Sequence, residues 1–383
     1  MIPYGRQEIN QADIDAVVSV LRSDFLTQGS VVPAFENTVA SYSGAQYAVA
    51  VNSATSALHI ACLALGVCEG DVVWTTPITF VASANCALYC GASVDFVDID
   101  PKTYNLSVDC LAAKLADAKK KGNLPKIVIP VHLCGQSCDM AGIYALSRQY
   151  GFKIIEDASH AIGGRYRNEP IGNCRYSDCT VFSFHPVKII TTGEGGMVLT
   201  NDGELAKRLR VLRTHGITSD KLDMQPRSED EIWNYQQIDL GFNYRMTDIH
   251  AALGLSQMQR LDEFVTARHV IARRYDEMLS DLPIITPWQH ADSYSGLHLY
   301  VIRLKGQRQR QVFKLLWENG IGVNLHYIPV YRQPFYEKQG FKAGYCPEAE
   351  QYYGEAISLP IYPGLTEEKQ NIVVRKLEGA IWP

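Results

Sequence analysis

The most regular pattern in the chain lies between residues 47 and 200, where short apolar runs alternate with segments of helical periodicity. Seven runs predict buried strands: YAVAVN from residue 47, VVWTTP from 72, VDFVDI from 94, KIVIPVHL from 126, FKIIEDA from 152, TVFSF from 180 and GMVLT from 196. Apolar residues at helical spacing lie between these runs, in Thr55–Leu65, Val81–Tyr89, Asp139–Tyr150 and Glu204–Val211. This alternation is typical of an α/β fold, with a mostly parallel central sheet covered by helices on both faces.

The pattern changes after about residue 255. One long helical segment, LSQMQRLDEFVTARHVIARRYDEMLSDL, leads into the strand-like run HLYVIRL and then into a predicted helix around Arg308–Asn319. We therefore expect three parts: an N-terminal arm (1–35), a large domain (36–255) and a smaller α+β C-terminal domain (256–383). Ligands of such sheets bind at the carboxyl ends of the strands, and the chemically suggestive residues of this chain follow predicted strands.

Composition and charge narrow the classes of partner. The chain has 383 residues, 46% of them hydrophobic and 20% charged, with a formal net charge of -5. It has no block of basic residues beyond Lys119–Lys121, which argues against a nucleic acid or an anionic membrane as partner. Neither a signal peptide nor an apolar run of about 18 residues is recognisable, so we expect a cytoplasmic protein without a membrane span.

The ten cysteines are expected to be reduced thiols, because the chain is long and no secretion signal is recognisable. Two pairs have CxxxC spacing, Cys86/Cys90 and Cys134/Cys138. Neither pair has the CxxC spacing of a zinc site, and the first falls in a predicted helix. We therefore expect no metal.

One lysine, Lys188, lies in VFSFHPVKIITTGEGG, between an apolar strand and a glycine-rich turn. Most lysines are solvated surface residues, and that is the default interpretation. The alternation of apolar residues with Ser183 predicts a buried strand before Lys188, and the glycines after it permit a close turn. An amine in an apolar pocket is more easily neutral, as a nucleophile that forms Schiff bases must be.

A carboxylate and a possible anion site accompany this lysine. Asp157 ends the strand FKIIED; it could cap a helix, but residues 158–164 do not read as one. Beside a lysine that forms a Schiff base, a carboxylate suggests the partner of the protonated ring nitrogen of pyridoxal phosphate (PLP). Residues 52–57, NSATSA, run from a strand into a helix, which predicts either a phosphate seat or ordinary capping. Phe80 is either a core aromatic or the face on which the cofactor stacks.

Eight motifs in order resemble the sugar aminotransferases of the DegT/DnrJ/EryC1/StrS family over essentially the whole chain. They are NSATSAL, TTPITFVASAN, IIEDASHAIGG, VFSFHPVK, GEGG, LRTHG, GFNYRMTDIHAALGLSQ and NLHYIPVY. The chain looks most like the branch that makes UDP-4-amino-4,6-dideoxy-N-acetyl-β-L-altrosamine, a precursor of pseudaminic acid. The resemblance implies the PLP-dependent aspartate aminotransferase-like (type I) fold, with PLP bound by the large domain.

The resemblance also implies a role for each motif residue. Lys188 would carry PLP as a Schiff base and move the proton between the substrate carbon and the cofactor. The other cofactor contacts would be Asp157 at the ring nitrogen, His160 near the ring hydroxyl, Phe80 on the ring face, and Ala54, Thr55 and Ser183 at the phosphate. Many relatives have Asn-Gly-Thr where this chain has Asn-Ser-Ala-Thr. Asn243 would reach the phosphate of the neighbouring subunit in a homodimer with shared sites, or it is a turn residue.

The sugar nucleotide site would combine the N-terminal arm with the small domain. By resemblance its residues are Tyr4, Asp24, Phe25, Leu26, Thr27, Asn324, Leu325, His326 and Tyr327. Tyr4 and Phe25 could equally be packing residues. The implied reaction moves the amino group of L-glutamate, through the pyridoxamine form of the cofactor (PMP), to C4 of UDP-2-acetamido-2,6-dideoxy-β-L-arabino-hexos-4-ulose.

Three alternatives remain open. One is an aminotransferase for another nucleotide-linked keto-hexose of a surface glycan or an antibiotic sugar. Another is a PLP-dependent sugar dehydratase, although by resemblance those enzymes have histidine where this chain has Lys188. The last is a non-catalytic regulator that keeps the fold for binding or dimerisation; retention of Lys188, Asp157, His160 and Ser183 argues against it.

Overall fold

The secondary structure is taken from a computed structural model, which describes residues 1–228, 230–306 and 308–382. The helices are α1 (Gln11–Leu21), α2 (Val31–Ser43), α3 (Ala54–Ala64), α4 (Ala82–Tyr89), α5 (Val108–Lys121), α6 (Met140–Tyr150), α7 (Gly203–Arg213), α8 (Asp248–Met258), α9 (Leu261–Met278), α10 (Gln309–Glu318), α11 (Pro334–Glu337), α12 (Pro347–Glu355) and α13 (Glu367–Ile381). The strands are β1 (Tyr47–Val51), β2 (Val72–Thr75), β3 (Ser93–Phe96), β4 (Ile127–Ile129), β5 (Lys153–Asp157), β6 (Arg165–Tyr166), β7 (Glu169–Pro170), β8 (Cys179–Ser183), β9 (Gly196–Thr200), β10 (Ile217–Thr218), β11 (Gln236–Gln237), β12 (Ile284–Ile285), β13 (Ser293–Tyr294), β14 (Tyr300–Leu304) and β15 (Ala356–Leu359).

The central sheet has seven strands in the order β1-β9-β8-β5-β4-β2-β3. All neighbouring pairs are parallel except those of β9, which runs antiparallel to both β1 and β8. Gly196, the first residue of β9, is paired with Val51 on one side and with Ser183 on the other. The mostly parallel sheet predicted from the sequence is therefore confirmed, and the ends of β1 and β8 flank the start of β9.

The strands read as continuous apolar runs because both faces of the sheet are buried. In β1, Val49 and Val51 belong to one core cluster, whereas Ala48 and Ala50 belong to another. Successive side chains of a strand point to opposite faces, so each face contributes alternate residues to its own core. Helices cover both faces as expected.

The single long helix predicted for residues 255–282 is wrong, since α8 ends at Met258 and α9 begins at Leu261. Arg260, between the two helices, has a non-helical backbone (φ -115°, ψ 8°). Its guanidinium pairs with Asp13 of α1, Nη2 to Oδ2 2.5 Å, and with Glu8 at 3.4 Å. Neither glycine nor proline marks the break. It is associated with a contact to a distant part of the chain that periodicity does not reveal.

The small C-terminal sheet is antiparallel, in the order β12-β14-β15. The start of the chain is attached to this region, because the Ile2 N–H donates to the Gly320 carbonyl (2.8 Å) and the Ile2 carbonyl accepts from Gly322 (2.7 Å). Helix α1 instead packs on α8, where buried Asp13 accepts from Ser256 and Gln257. The first 35 residues thus contact both larger parts. Among the helices that the structure describes, none combines the length and the apolar character needed to cross a membrane.

Candidate active site

A cavity of about 650 Å³ lies at the carboxyl ends of β1, β5 and β8, against the segment 324–328 that follows α10. It brings together most of the residues that the sequence predicted for the site. Those lining it are Tyr4, Ala54, Thr55, Phe80, Asp157, His160, Ser183, Lys188, Asn324, Leu325, His326 and Tyr327. The residues come from the arm, the large sheet and the C-terminal part of the chain, so this cavity is the candidate active site.

Lys188 lies in the turn that follows β8, and its backbone N–H donates to the His185 carbonyl at 2.9 Å. Burial lowers the pKa of its amine from 10.5 to about 8, against the opposing effect of the Asp157 charge. Removing an ammonium from water penalises the charged form, whereas a nearby carboxylate favours it. A substantial fraction of the Lys188 amine is therefore neutral near pH 8, as a nucleophilic amine requires.

The carboxylate of Asp157 is held by hydrogen bonds to both of its oxygens. The Ser83 hydroxyl donates to Oδ2 at 2.6 Å, and Ser159 donates to Oδ1 from its hydroxyl (2.6 Å) and from its backbone N–H (3.1 Å). Ser83 is itself in contact with Thr79, oxygen to oxygen 2.8 Å. The residues after Asp157 form turns and no helix, so Asp157 is not a helix cap. The sequence reading missed Ser83, although it falls within one of the quoted motifs.

The beginning of α3 forms a cradle for an anion. The Ser53 hydroxyl accepts from the Ser56 N–H (3.1 Å), and the Ser53 carbonyl accepts from the Ala57 N–H (3.0 Å). The first N–H groups of a helix lack intrahelical partners, which leaves those of Ala54 and Thr55 for a ligand. A phosphate fits this polar, dipole-favoured end of the helix.

Gly196 allows the sheet to approach this cradle closely. A Cβ at Gly196 would lie 2.5 Å from the Ala54 nitrogen and 2.5 Å from the Ser53 carbonyl oxygen. Ser183, paired with Gly196 across β8 and β9, lines the same cavity. The absent side chain at 196 therefore permits β9 to lie directly beneath the first turn of α3.

His160 forms part of the opposite wall and has two edge contacts. Its Nδ1 accepts from the Cys134 backbone N–H at 3.3 Å, and its Nε2 lies 3.3 Å from the Tyr327 hydroxyl. Acceptance at Nδ1 places the proton of the neutral ring on Nε2. Burial, with the Lys188 charge and the nearby His326 ring, lowers the pKa of His160 well below 6.5. His160 is thus a neutral imidazole that offers an N–H.

His326 is a second neutral imidazole of the wall. Asn324 donates to its Nε2 at 3.3 Å, so its Nδ1 carries the proton and donates to Ser358 Oγ at 2.7 Å. Burial, helped by the Lys188 charge, lowers its pKa to about 3. The ring of Tyr4 packs against it, with centroids 5.3 Å apart. Tyr4 is therefore held in the cavity by packing, while its ring also borders the space for a ligand.

Phe80 lies at the mouth of the cavity and is 59% exposed. Its ring centroid is 6.4 Å from that of Tyr327. The large exposed fraction argues against the core role that the sequence left open. A flat apolar face is instead free to pack on a ring bound in the cavity.

Five predicted residues do not line this cavity within one chain. Asp24 and Phe25 border a separate pocket of about 240 Å³ beside Asp248, and Phe25 is 61% exposed. Leu26 and Thr27 are exposed as well, since residues 24–27 run along the start of α8, where Leu26 accepts from the Asp248 N–H. The expectation that residues 24–27 join Tyr4 in one sugar site is therefore not met within a single chain.

Asn243 is also exposed. It bridges to Thr214, and its carbonyl accepts from the Asn52 side chain at 3.4 Å, just before the first turn of α3. It lies in an extended segment, so it is not a turn residue. Its side chain is accessible from solvent.

The described residues contain no group of three or more His, Cys, Asp or Glu side chains arranged to hold a metal ion. The chemically competent groups of the cavity include the Lys188 amine, the Asp157 carboxylate, the neutral imidazoles of His160 and His326, and a cradle for an anion. Its lining also contains Glu194, His185 and His298. This set fits PLP: Lys188 would bind its aldehyde, Asp157 would hold its ring nitrogen, and the start of α3 with Ser183 would hold its phosphate.

Comparison with known proteins gives the same answer. The model of the DegT/DnrJ/EryC1/StrS aminotransferase family matches residues 7–378. The chain belongs to that family. It is accordingly a PLP-dependent sugar aminotransferase with the type I fold.

Two curated relatives share the same percentage identity with this aminotransferase. It is 38% identical to the spore coat polysaccharide biosynthesis protein SpsC of Bacillus subtilis over 99% of the chain and 97% of that protein. It is also 38% identical to the UDP-4-amino-4,6-dideoxy-N-acetyl-β-L-altrosamine transaminase of Campylobacter jejuni, over 94% of the chain and 93% of that protein.

Solved structures resemble this aminotransferase over its whole length. The Helicobacter pylori PseC, an aminotransferase involved in the biosynthesis of pseudoaminic acid, superposes with a TM-score of 0.91 at 29% identity, covering 100% of this chain and 99% of that one. The putative sugar aminotransferase Spr1654 of Streptococcus pneumoniae in its PMP form has a TM-score of 0.91 at 28% identity, with coverage of 100% and 99%.

Proposed function

We propose that this aminotransferase moves the amino group of L-glutamate to C4 of a UDP-linked 4-keto-6-deoxy-N-acetylhexosamine, UDP-2-acetamido-2,6-dideoxy-β-L-arabino-hexos-4-ulose. The product would be a 4-amino sugar on the route to pseudaminic acid, a sugar of flagellin glycosylation. The observation that carries the proposal is the cavity that joins the Lys188 amine, the Asp157 carboxylate and the α3 cradle. The similarity to the C. jejuni transaminase and to PseC supports the choice of sugar.

Each residue has a task that its surroundings support. PLP supplies the electron sink that makes the α-proton of the amino donor acidic. Lys188, with its lowered pKa, takes that proton through Nζ in the first half-reaction and delivers one to C4 of the sugar in the second. Asp157, oriented by Ser83 and Ser159, favours the positive charge at the ring nitrogen. The N–H groups of Ala54 and Thr55, with the Ser183 hydroxyl, hold the phosphate.

We define the floor of the cavity as Lys188, Asp157 and the first turn of α3. The keto sugar would lie between this floor and the segment 324–327. Asn324 and His326 form a hydrogen-bonded pair there, and Leu325 and Tyr327 border the same space. A site of this kind recognises a sugar by hydrogen bonds to its hydroxyl and amide groups while its apolar walls exclude water. Tyr4 would close the site from the arm.

We also propose a homodimer in which the sites are shared. Residues 24–27 and Asn243 lie exposed, outside the cavity of their own chain. In a symmetric dimer the same surface of each subunit can complete the site of the other.

We propose a cytoplasmic location. All ten cysteines are free thiols, which fits the reducing environment of the cytoplasm.

A second candidate is an aminotransferase for a different nucleotide-linked keto-hexose of a surface polysaccharide. The equal identity to SpsC, a protein of spore coat polysaccharide biosynthesis, favours this alternative. The two candidates share the cofactor, the amino donor and Lys188. They differ only in the sugar that the second half-reaction accepts.

The test follows each half-reaction by absorption and mass spectrometry. Purified protein with PLP should lose its visible band on addition of L-glutamate and release 2-oxoglutarate. Addition of the UDP-linked arabino-hexos-4-ulose should restore the band and yield the 4-amino sugar. Restoration only by another keto sugar would replace the proposed substrate with that of the second candidate, and a band insensitive to glutamate would overturn glutamate as the donor.

A further inference from the structure

His298 lines the cavity, yet the roles described above leave it unused. It stands two residues before β14, is 3% exposed, and borders the same space as Lys188. Its ring packs on that of His160, with centroids 4.4 Å apart and planes at 51°. Its Nδ1 is sealed from solvent without a hydrogen-bond partner among the residues that the structure describes.

That unpartnered nitrogen makes histidine a poor choice for stability. A buried polar atom that loses its water without gaining a partner destabilises the folded state. An apolar ring of similar shape, such as phenylalanine, would fill the position without that cost. Because the Nδ1 atom has no partner to act on, what His298 contributes to the cavity must come from the packing of its ring.

The contacts of His160 show what such a ring could do. Cys134 and Tyr327 bind the two edges of the His160 imidazole, at Nδ1 and Nε2. These two contacts at the ring nitrogens leave the His160 ring free to tilt about the line that joins Nδ1 and Nε2. The plane of the His160 ring therefore depends on which groups pack against it. His298 supplies that packing at 4.4 Å, closer than the Tyr327 ring, whose centroid lies 6.2 Å away.

The backbone around His298 is attached to the same loop that binds His160. The Gly296 N–H donates to the Gly135 carbonyl (3.0 Å), and the Leu299 N–H donates to the Cys134 carbonyl (3.4 Å). The segment 296–299 and the loop at Cys134 therefore form one unit. That unit therefore holds both the group that binds Nδ1 of His160 and the ring that packs against His160.

Charges around the pair keep both rings neutral. Arg268 is fully buried, and its Nη1 donates to the carbonyls of His298, Leu297 and Ile361 at 3.1 to 3.2 Å. Burial lowers the pKa of His298 well below 6.5, and His160, Lys188 and Arg268 lower it further. A proton on either ring would add a cation beside existing ones, so the pair remains uncharged.

We propose that His298 is a positioning residue: its ring fixes the plane of His160 and so keeps the Nε2–H of His160, which meets the Tyr327 hydroxyl in this structure, on the cavity side, where it would serve the ring hydroxyl oxygen of bound PLP. The inference rests on the proposed function, in which His160 lies near that oxygen. His298 lies outside the eight family motifs, and it would act on the cofactor through His160.

The test compares His298→Asn, which removes the ring, with His298→Phe, which keeps a ring face. In PLP-loaded protein we would measure the pH midpoint of the visible-band transition, which reports the proton on the Lys188 nitrogen joined to PLP. A donor at the ring oxygen draws negative charge away from that proton. Loss of the donor in His298→Asn should raise the midpoint by about one pH unit. His298→Phe should keep the midpoint of the wild type and a melting temperature at least as high.

An unchanged midpoint in folded His298→Asn would overturn the proposal, as would an equal shift in His298→Phe. Nitrogen NMR of the cofactor-free wild type adds a check that needs no variant: it should show His160 protonated at Nε2 alone. A mixture of tautomers there would also overturn the proposal. A normal visible band that L-glutamate does not discharge would refute the proposed amino transfer but leave these comparisons intact.

Discussion

The floor of the cavity and the segments at its expected rim are built differently. Lys188, Asp157 and the first turn of α3 follow buried strands, and their neighbours fix them through hydrogen bonds and close backbone approach. Residues 24–27 and Asn243 lie exposed and outside the cavity. In the proposed dimer, one chain would supply the chemistry, whereas the exposed residues would complete the site of a second chain.

Among the substitutions proposed here, the largest loss of amino transfer should come from a change in the floor of the cavity. Lys188→Ala removes the amine that is proposed to bind PLP and to move the proton, so amino transfer should fall by about 10⁴-fold or more. The melting temperature of this variant should not fall at neutral pH, because burial of the Lys188 amine disfavours its charged form. Steady-state rates and thermal unfolding measure both effects. Turnover at the wild-type rate would refute the role given to Lys188.

The cradle should also be sensitive to one methyl group. Gly196→Ala places a Cβ 2.5 Å from atoms of Ser53 and Ala54, so the first turn of α3 must shift. We expect PLP affinity to fall by about tenfold, the effect of one lost hydrogen bond to a charged group, and the melting temperature to fall.

The control for this substitution is Gly354→Ala in α12. An added Cβ there meets no atom within 4 Å, and alanine is the better helix former. This variant should bind PLP normally and melt no lower than the wild type. Equal PLP affinity in both variants would contradict the close packing inferred beneath α3.

The pH dependence of cofactor attachment tests the buried amine. Because the pKa of Lys188 is about 8, the rate of PLP attachment should rise about tenfold from pH 6 to pH 7 and level off above pH 9. The folded-state pKa is below that of the unfolded chain, so the contribution of Lys188 to stability should improve as the pH rises from about 8 toward 10.5. A midpoint near 10.5 in stopped-flow measurements would contradict burial of the amine.

A smaller loss of activity is expected from a substitution at Ser83, which contacts Asp157. Ser83→Ala removes the donor to Asp157 Oδ2, while Ser159 continues to hold Oδ1. A hydrogen bond to a charged group is worth about tenfold, so kcat should fall by about that factor. The exposed Ser280→Ala should leave kcat unchanged. Equal rates for the two variants would show that Ser159 alone suffices.

Much of the floor could be predicted from the sequence, because its signals are local. The apolar run before Ser183 and the glycines after Lys188 predicted the strand and the turn that the structure shows. The break between α8 and α9 could not be predicted, since it accompanies a pair between Arg260 and Asp13, 247 residues apart along the chain. The orientation of His298 depends on packing against a loop that precedes it by more than 160 residues, and no periodicity encodes such a contact.

The arrangement of residues 24–27 could not be predicted from the sequence for a different reason. A family motif shows that a residue belongs to a site, but it does not say which copy of the chain contributes it. Within one chain, Phe25 faces solvent, and Asp24 lies beside Asp248. For residues 24–27, unlike Asn243, the resemblance named no second subunit, and only their position in three dimensions raises that question.

The most direct test of the shared site uses two defective variants in one dimer. Lys188→Ala and Asn243→Ala, carrying different affinity tags, would be co-expressed, and the mixed dimer purified through both tags. If Lys188 of one subunit works with Asn243 of its partner, each pure variant should be impaired while the mixed dimer has one intact site and about half of the wild-type activity. A mixed dimer no more active than the average of the two pure variants would contradict the shared site.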